Sequence, residues 1–320
     1  MRMEAIPNLS DIQQAHERIK PHIHRTPVLT SESINDIAGC EIHFKCENLQ
    51  KVGAFKARGG INAILSLSEE EQKKGVATHS SGNHAQAVAL AAKIAGCKAW
   101  IVMPDNAPKV KLNAVKGYGA EVILCEPTIE ARESTLQEII NKNGAILIHP
   151  YNDYRIIVGQ GTAAKELIED SDFVYDFILT PIGGGGLISG TALATHYTSP
   201  KTKVIGCEPE AADDAYRSFK LGRLEKNDAP PKTVADGLLT NLGERNFEII
   251  KNHVHDIFIV SDKEIMSAMH LVWERMKIII EPSCAVPLAV VLKNKDYFKT
   301  KSVGIILSGG NVDFDKVNFN

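Results

Sequence analysis

The sequence has no apolar run approaching the roughly 20 residues that cross a bilayer. Its first residues, Met1-Arg2-Met3-Glu4-Ala5-Ile6-Pro7, lack the apolar core of a secretory signal. Basic excess is absent too: 36 Lys and Arg stand against 39 Asp and Glu, a net charge of −3. No broad positive field exists to hold nucleic acid. The six cysteines (Cys40, Cys46, Cys97, Cys125, Cys207, Cys284) form no CxxC pair. That spacing suits reduced, buried thiols in a cytoplasmic protein. There is no internal repeat and no low-complexity linker.

What is present is an ordinary globular composition, 44% hydrophobic and 23% charged over 320 residues. Such a chain buries a large core and divides into two lobes. Ser10-Asp11 opens a short helix that Pro21 closes, and 25–30 is an extended connector because Pro27 pushes Thr26 out of the helical region. A strand over 42–46 leads into a helix from Lys56 to about Leu65. From Gly75 strands (76–78, 99–103, 121–124, 145–148) alternate with helices (83–95, 108–116, 129–141). The alternation resumes with a helix at 160–169, a strand at 177–179, a helix from Leu187 and a strand at 204–207. A strand at 256–260, helices at 262–275 and 282–292 and a strand at 303–307 complete it. β-α alternation implies parallel sheets with helices on their faces. The expected fold is α/β with two parallel-sheet domains: a large one over 1–78 and 147–320, and a small mobile one, 79–146, inserted in it. Ligands of such sheets bind at strand C-termini.

Four loops at such positions carry chemistry. Lys56 lies in Gly53-Ala54-Phe55-Lys56-Ala57-Arg58-Gly59-Gly60. The small residues permit close approach of a backbone or flat ligand, and Phe55 supplies an apolar wall that desolvates the amine. A lysine that bonds covalently to a carbonyl needs that environment; a solvated surface charge is the plain alternative. Gly183-Gly184-Gly185-Gly186 stands between a strand and a helix, where successive N–H groups converge on an anion and the helix adds its positive end. The run is neither GxxxxGK[ST] nor GxGxxG with a downstream acid, which points to a monophosphate rather than a nucleoside triphosphate or dinucleotide. Ser80-Ser81-Gly82-Asn83-His84 gathers hydroxyls, an amide and helix N–H groups suited to a carboxylate, although one N-cap would use a single side chain of the set. Ser308-Gly309-Gly310-Asn311 ends the last strand. A fifth segment, Glu208-Pro209-Glu210-Ala211-Ala212-Asp213-Asp214, offers hard oxygen ligands for Mg²⁺ or Ca²⁺, or simply an acidic helix start. His22 and His24 lack ligand partners at metal spacing, Trp273 and Met276 read as core, and the lysines at 293–295 as a solvated helix end.

These motifs, in this order, resemble the fold-type II pyridoxal-phosphate enzymes (tryptophan synthase β-like), and within them the serine racemase and serine/threonine dehydratase family. The resemblance runs from about residue 10 to 313. Leu271-Val272-Trp273-Glu274-Arg275-Met276-Lys277 and the Glu208 cluster draw it toward the racemase branch. It implies that Lys56, beside Phe55, carries the cofactor. Gly183, Gly184, Gly185, Gly186 and the Leu187 N–H would hold its phosphate, Asn83 its phenolic oxygen and Ser308 its pyridine nitrogen. Ser80, Ser81, Asn83, His84 and Arg132 would bind the substrate carboxylate. Glu208, the Ala212 carbonyl and Asp214 would bind Mg²⁺ or another divalent cation such as Mn²⁺. An activating ATP would meet Lys51, Gln86, Lys111, Tyr118, Lys277 and Asn311, in a homodimer. Two positions depart from the family: Ala54 replaces a serine, and Gln13 replaces an acid of the ATP site, which weakens the nucleotide reading. The implied activity is interconversion of L- and D-serine through Lys56 and Ser81 on opposite faces of Cα, with side release of pyruvate and ammonia. A serine/threonine or 3-hydroxyaspartate dehydratase, a non-catalytic metabolite sensor and a Rossmann oxidoreductase are the rivals.

Overall fold

Alternating buried strands and small-residue helices produce two sheets, one nested within the other along the chain. The computed structural model describes residues 5–107 and 109–314. Residues 1–4 and Pro108, expected to open a helix, lie outside the described residues.

Helix α1 (Leu9–Ile19) is capped by Asn8, not Ser10, because Asn8 has the reciprocal partner: it accepts the Ser10 N–H while Asp11 accepts the Asn8 N–H. The expected connector holds a short strand, β1 (Val28–Thr30), antiparallel to β2 (Glu41–Cys46), with α2 (Glu32–Ala38) between them. Next come α3 (Lys56–Leu65) and α4 (Glu69–Lys74). The inserted series is β3 (Val76–His79), α5 (Asn83–Ala95), β4 (Ala99–Pro104), α6 (Lys109–Gly117), β5 (Glu121–Cys125), α7 (Ile129–Asn143) and β6 (Ile146–Leu147). The chain returns through α8 (Tyr154–Glu169), β7 (Phe177–Pro181), α9 (Gly186–Thr198), β8 (Lys203–Pro209), α10 (Asp214–Leu221) and α11 (Glu244–His253). It ends with β9 (Asp256–Val260), α12 (Asp262–Met276), α13 (Pro282–Lys293), α14 (Lys295–Phe298) and β10 (Ser302–Leu307).

The large sheet has the order β1-β2-β10-β7-β8-β9 and the small one β5-β4-β3-β6. Every pairing is parallel except that of the edge strand β1. Because β3 and β6 belong to the small sheet, that sheet reaches past both ends of the 79–146 span read from sequence. Helix α8 starts six residues earlier than expected, since Asp153 caps it by accepting the Arg155 N–H. Helices α2, α4, α10, α11 and α14 were not anticipated; most are short, and four of them lack a side-chain cap. Lys293 is not merely solvated, as it bridges Glu210 and Glu264. Trp273 packs partly buried on the core and donates to the Ile280 carbonyl at 3.0 Å.

Glycines set how α3, α8 and α9 stack. A Cβ on Gly159 would lie 2.7 Å from the Gly59 Cα, and one on Gly190 would lie 2.3 Å from the Ile157 carbonyl oxygen. Backbones therefore touch across both crossings. Lys56 starts α3 and the glycine loop starts α9, so the α8 spacer fixes the distance between them. Gly190→Ala should destabilise the fold by roughly 1–3 kcal/mol or more through overpacking against backbone. Gly117→Ala, whose Cβ would meet nothing within 4 Å, should be neutral or stabilising by up to about 1 kcal/mol. Urea unfolding of the two variants checks the contrast.

Candidate active site

Loops leaving β2, β3, β6, β7 and β10 all emerge at strand C-termini, and their contacts bring them to one place. The Lys56 Nζ donates to the Pro150 carbonyl at 2.9 Å, joining the lysine loop to the segment after β6. Tyr151, next in that segment, lies against the glycine loop: a Cβ on Gly184 would enter its ring at 2.3 Å. Asn246 ties the two by donating to the Tyr151 and Gly184 carbonyls. Phe55 N–H donates to the Ser308 carbonyl at 3.0 Å, and Ala54 bridges to Gly309, so the last loop packs beside the lysine.

Lys56 sits 5.2 Å from the centroid of the Phe55 ring. Burial lowers its pKa to about 8, with Glu281 pulling the other way. At that value roughly a tenth of the amine is neutral at pH 7, and that fraction is nucleophilic.

Asn83 begins α5 and donates from Nδ2 to both Glu281 oxygens, at 3.0 and 3.3 Å. Its own oxygen accepts from Asn311 Nδ2 at 2.8 Å, while the same Asn311 nitrogen donates to the Val52 carbonyl at 2.6 Å. Val52 takes a left-handed φ of 57°, a costly geometry for a β-branched residue. This chain of contacts joins the small sheet, the lysine loop and the last loop. Glu281 is buried, and burial followed by the charge of Asp236 raises its pKa to about 7.

Two histidines flank the amine. His84 is buried, its Nε2 faces the Ile148 carbonyl at 3.2 Å, and burial followed by the Lys56 charge drives its pKa well below the usual value. The His149 Nδ1 accepts the backbone N–H groups of Asn152 (2.9 Å) and Tyr151 (3.3 Å), and burial lowers its pKa to about 4. Ser80 accepts the Gly82 N–H at 3.3 Å. Arg132, in the first turn of α7, stands near His79, and its Nε is buried without a hydrogen-bond partner.

At the start of α9, Gly185 adopts a left-handed φ of 94° and no side chain caps the helix. Its first N–H groups, from Gly186 and Leu187 onward, have no side-chain oxygen to satisfy them, which is what an incoming phosphate requires. Ser308 is buried, and its carbonyl accepts the Phe55 N–H beside Lys56.

The acidic segment separates into distinct roles. Glu210 pairs with Lys293 and Asp213 with Arg217, both on the surface. Glu208 and Asp214 are buried. Glu208 accepts the Ala215 and Tyr216 N–H groups, and Asp214 accepts from Leu242 N and Asn227 Nδ2. Burial raises both pKa values, Glu208 strongly, with Asp214 as its second cause. Among the described residues no cluster of three or more His, Cys, Asp or Glu side chains is arranged to hold a metal.

Of the six residues matched to a nucleotide site, Lys277 and Asn311 line one cavity of about 400 Å³ with Asn48, Leu49, Ile279 and Phe314. Lys51, Gln86, Lys111 and Tyr118 are not in its lining; Lys111 instead pairs with Asp236 at 3.3 Å across the two sheets.

Sequence reading missed Glu281, His149 and Tyr151. His149 follows the last strand of the inserted series, so the strand-end rule alone could have marked it. Glu281 looked like an ordinary residue before a helix-opening proline, and only the fold brings it to Asn83.

The chain matches the family model described as "Pyridoxal-phosphate dependent enzyme" over residues 19–309. It is 51% identical over 315 residues to the β-hydroxyaspartate dehydratase of Paracoccus denitrificans, covering 98% of this chain and 99% of that one. It is 52% identical over 321 residues to the serine racemase of Dictyostelium discoideum, covering 99% of each. The crystal structure of that racemase superposes with a TM-score of 0.92, over 97% of this chain and 100% of the other. The residues present fit the cofactor that the family model describes: a desolvated amine for its aldehyde and an uncapped helix start for its phosphate. With a match spanning most of its length and the parallel sheets already traced, the chain belongs to the fold-type II pyridoxal-phosphate dependent enzymes.

Proposed function

We propose that this enzyme interconverts L- and D-serine and also eliminates water from serine, releasing pyruvate and ammonia. The observation that carries the reading is the two-sided site. A desolvated Lys56 comes from the large sheet, and a serine-rich loop at the end of β3 comes from the small one, with His84 close enough for the Lys56 charge to depress its pKa. Full-length identity to serine racemases supports it.

When bound, pyridoxal phosphate serves as the electron sink for the pair left as the Cα proton departs. Lys56 would hold it covalently, the N–H groups of Gly183, Gly184, Gly185, Gly186 and Leu187 its phosphate, Asn83 its phenolic oxygen and Ser308 its ring nitrogen. Phe55 keeps water from the amine. The Ser80, Ser81, Asn83 and His84 groups would receive the substrate carboxylate, with Arg132 of α7 as a further donor. Lys56, once released by the incoming amino acid, moves a proton on one face of Cα and Ser81 on the other, so inversion needs no shared base. A domain division near 79–146 would let the small sheet close over the substrate.

Dehydration of 3-hydroxyaspartate is a second reading, favoured by the Paracoccus relative and by the unpartnered Arg132 Nε, which suits a second carboxylate. A cytoplasmic homodimer accords with six unpaired cysteines and with apolar Leu49, Ile279 and Phe314 exposed around one cavity. No helix among the described residues is long and apolar enough to cross a membrane. The nucleotide role has the least support, since only two matched residues share that cavity. Glu208, Asp214 and the Ala212 carbonyl would take a divalent cation, which would neutralise two carboxylates that burial disfavours.

Incubation of the purified holoenzyme with L-serine should yield D-serine and pyruvate together. Release of keto acid from 3-hydroxyaspartate with no D-serine would transfer the assignment to the dehydratase. Lys56→Ala should abolish both serine activities. In the wild-type apoprotein, covalent capture of pyridoxal phosphate should quicken with pH and level off above about 8, because the lowered pKa leaves the amine protonated below that value. Stopped-flow absorbance checks it, and a profile flat from pH 6 to 10 would contradict a buried nucleophile. Mg²⁺ should raise the unfolding temperature at pH 8 and lose that effect as pH falls, since raised pKa values protonate Glu208 and Asp214 and leave the cation nothing to neutralise. Calorimetry with and without a chelator measures the difference.

A further inference from the structure

The Gly184 carbonyl receives two donors from the start of α11. Asn246 Nδ2 reaches it at 2.8 Å and the Gly243 N–H at 3.1 Å. The same Nδ2 donates to the Tyr151 carbonyl at 3.2 Å, one residue beyond the Pro150 carbonyl that takes the Lys56 amine. Asn246 is fully buried, and its Oδ1 has no hydrogen-bond partner. Turning the amide over would set that oxygen against two carbonyl oxygens, so the nitrogen must face them. A buried amide with an idle oxygen is an uncommon way to fill a core position. What this one provides is a grip on two backbone carbonyls.

Peptide geometry carries that grip into the glycine loop. The Gly184–Gly185 unit is trans, so its N–H points opposite to its carbonyl. With the carbonyl held toward α11, the Gly185 N–H faces away from that helix, and no group among the described residues accepts it. On the α11 side the loop is packed flush: a Cβ on Gly185 would lie 2.6 Å from Leu242 Cδ1 and 2.7 Å from the Asn246 Cβ. Gly185 is left-handed and Gly186 opens α9, a conformation in which successive N–H groups converge on an anion.

We propose that Asn246 is the positioning residue of the phosphate cradle. By holding the Gly184 carbonyl from behind, it aims the Gly185 N–H at the place the cofactor phosphate would occupy and keeps that place in register with Lys56. This rests on the reading of the glycine loop as the phosphate site. The aldehyde end of the cofactor needs Lys56, not the loop, so the two ends should respond differently to loss of Asn246.

The test compares the apoproteins of wild type, Asn246→Thr and Asn246→Val. Threonine and valine are close in shape, and of the two only threonine can donate to a carbonyl. Each protein is titrated with pyridoxal phosphate and with deoxypyridoxal, which keeps the aldehyde and lacks the phosphate; capture by Lys56 is read as visible absorbance. Asn246→Val should weaken pyridoxal phosphate by about 10- to 100-fold and deoxypyridoxal by no more than about twofold. Asn246→Thr should recover part of the loss. Equal weakening of both aldehydes would show a packing role alone and overturn the proposal, as would unchanged affinities or threonine and valine variants that match. A wild type that holds both aldehydes equally would instead defeat the phosphate reading of the loop. If Asn246→Val does not fold, ¹⁵N-glycine spectra of the wild-type apoprotein decide: inorganic phosphate should shift the Gly185 amide together with that of Gly186. A shift at Gly186 with Gly185 unmoved refutes the proposal, and no shift at either defeats the phosphate reading.

Discussion

A fully buried guanidinium holds the site together. Arg58 donates to Glu47 from Nε (2.7 Å) and a terminal nitrogen (2.8 Å), and to Glu166 from both terminal nitrogens (2.8 Å each). Lys45, also buried, adds a contact to Glu166 at 2.8 Å. Burial alone would penalise these charges heavily, yet mutual pairing keeps Glu166 ionised, with its pKa at about 2 despite burial. The end of β2, the first turn of α3 and the last turn of α8 are thereby locked to one another. Removing one partner of such a network typically costs about 3–5 kcal/mol, because it strands a buried charge. Lys56 precedes Arg58 by two residues, so the clamp also fixes where the amine emerges.

The glycine crossings complete that constraint. The Gly59–Gly159 contact sets α3 on α8, and the Gly161–Gly190 contact sets α8 on α9. Polar anchoring fixes direction, and backbone contact fixes distance. The result is a rigid frame with an amine at one helix start and an uncapped helix start at another. The small sheet joins this frame through an apolar core that α3 shares with α5, β3 and β4, and through polar links such as Asn83 with Glu281 and Asn311, and Lys111 with Asp236. The serine-bearing loop lies on that small sheet, at the end of β3.

Histidine tautomers add a layer that residue types alone cannot convey. His84 and His149 are both neutral and both carry the proton on Nε2, but one shows an acceptor inside the site and the other keeps a donor. Their neighbours, a carbonyl in one case and two amides in the other, make the difference.

Much of this was legible in the residues themselves. Buried runs such as Ala99–Pro104 and Ser302–Leu307 declared parallel strands, since both faces are covered. Glycine and proline punctuation exposed the lysine, serine and glycine loops, because those residue types are chosen by local backbone demands. Even Gly59-Gly60 announced a close approach, although whether backbone or ligand would fill it was left open; the backbones of α8 and α5 do. Tertiary structure decided what depends on partners distant in sequence. Arg58 stands 108 residues from Glu166 and Asn83 198 from Glu281, and no local pattern encodes such pairings. The acidic segment was visible as a cluster, but only the fold divides it, burying Glu208 and Asp214 together and leaving Glu210 and Asp213 to surface partners. Residue type set the chemistry on offer; burial and long-range pairing set which atoms remain free to use it.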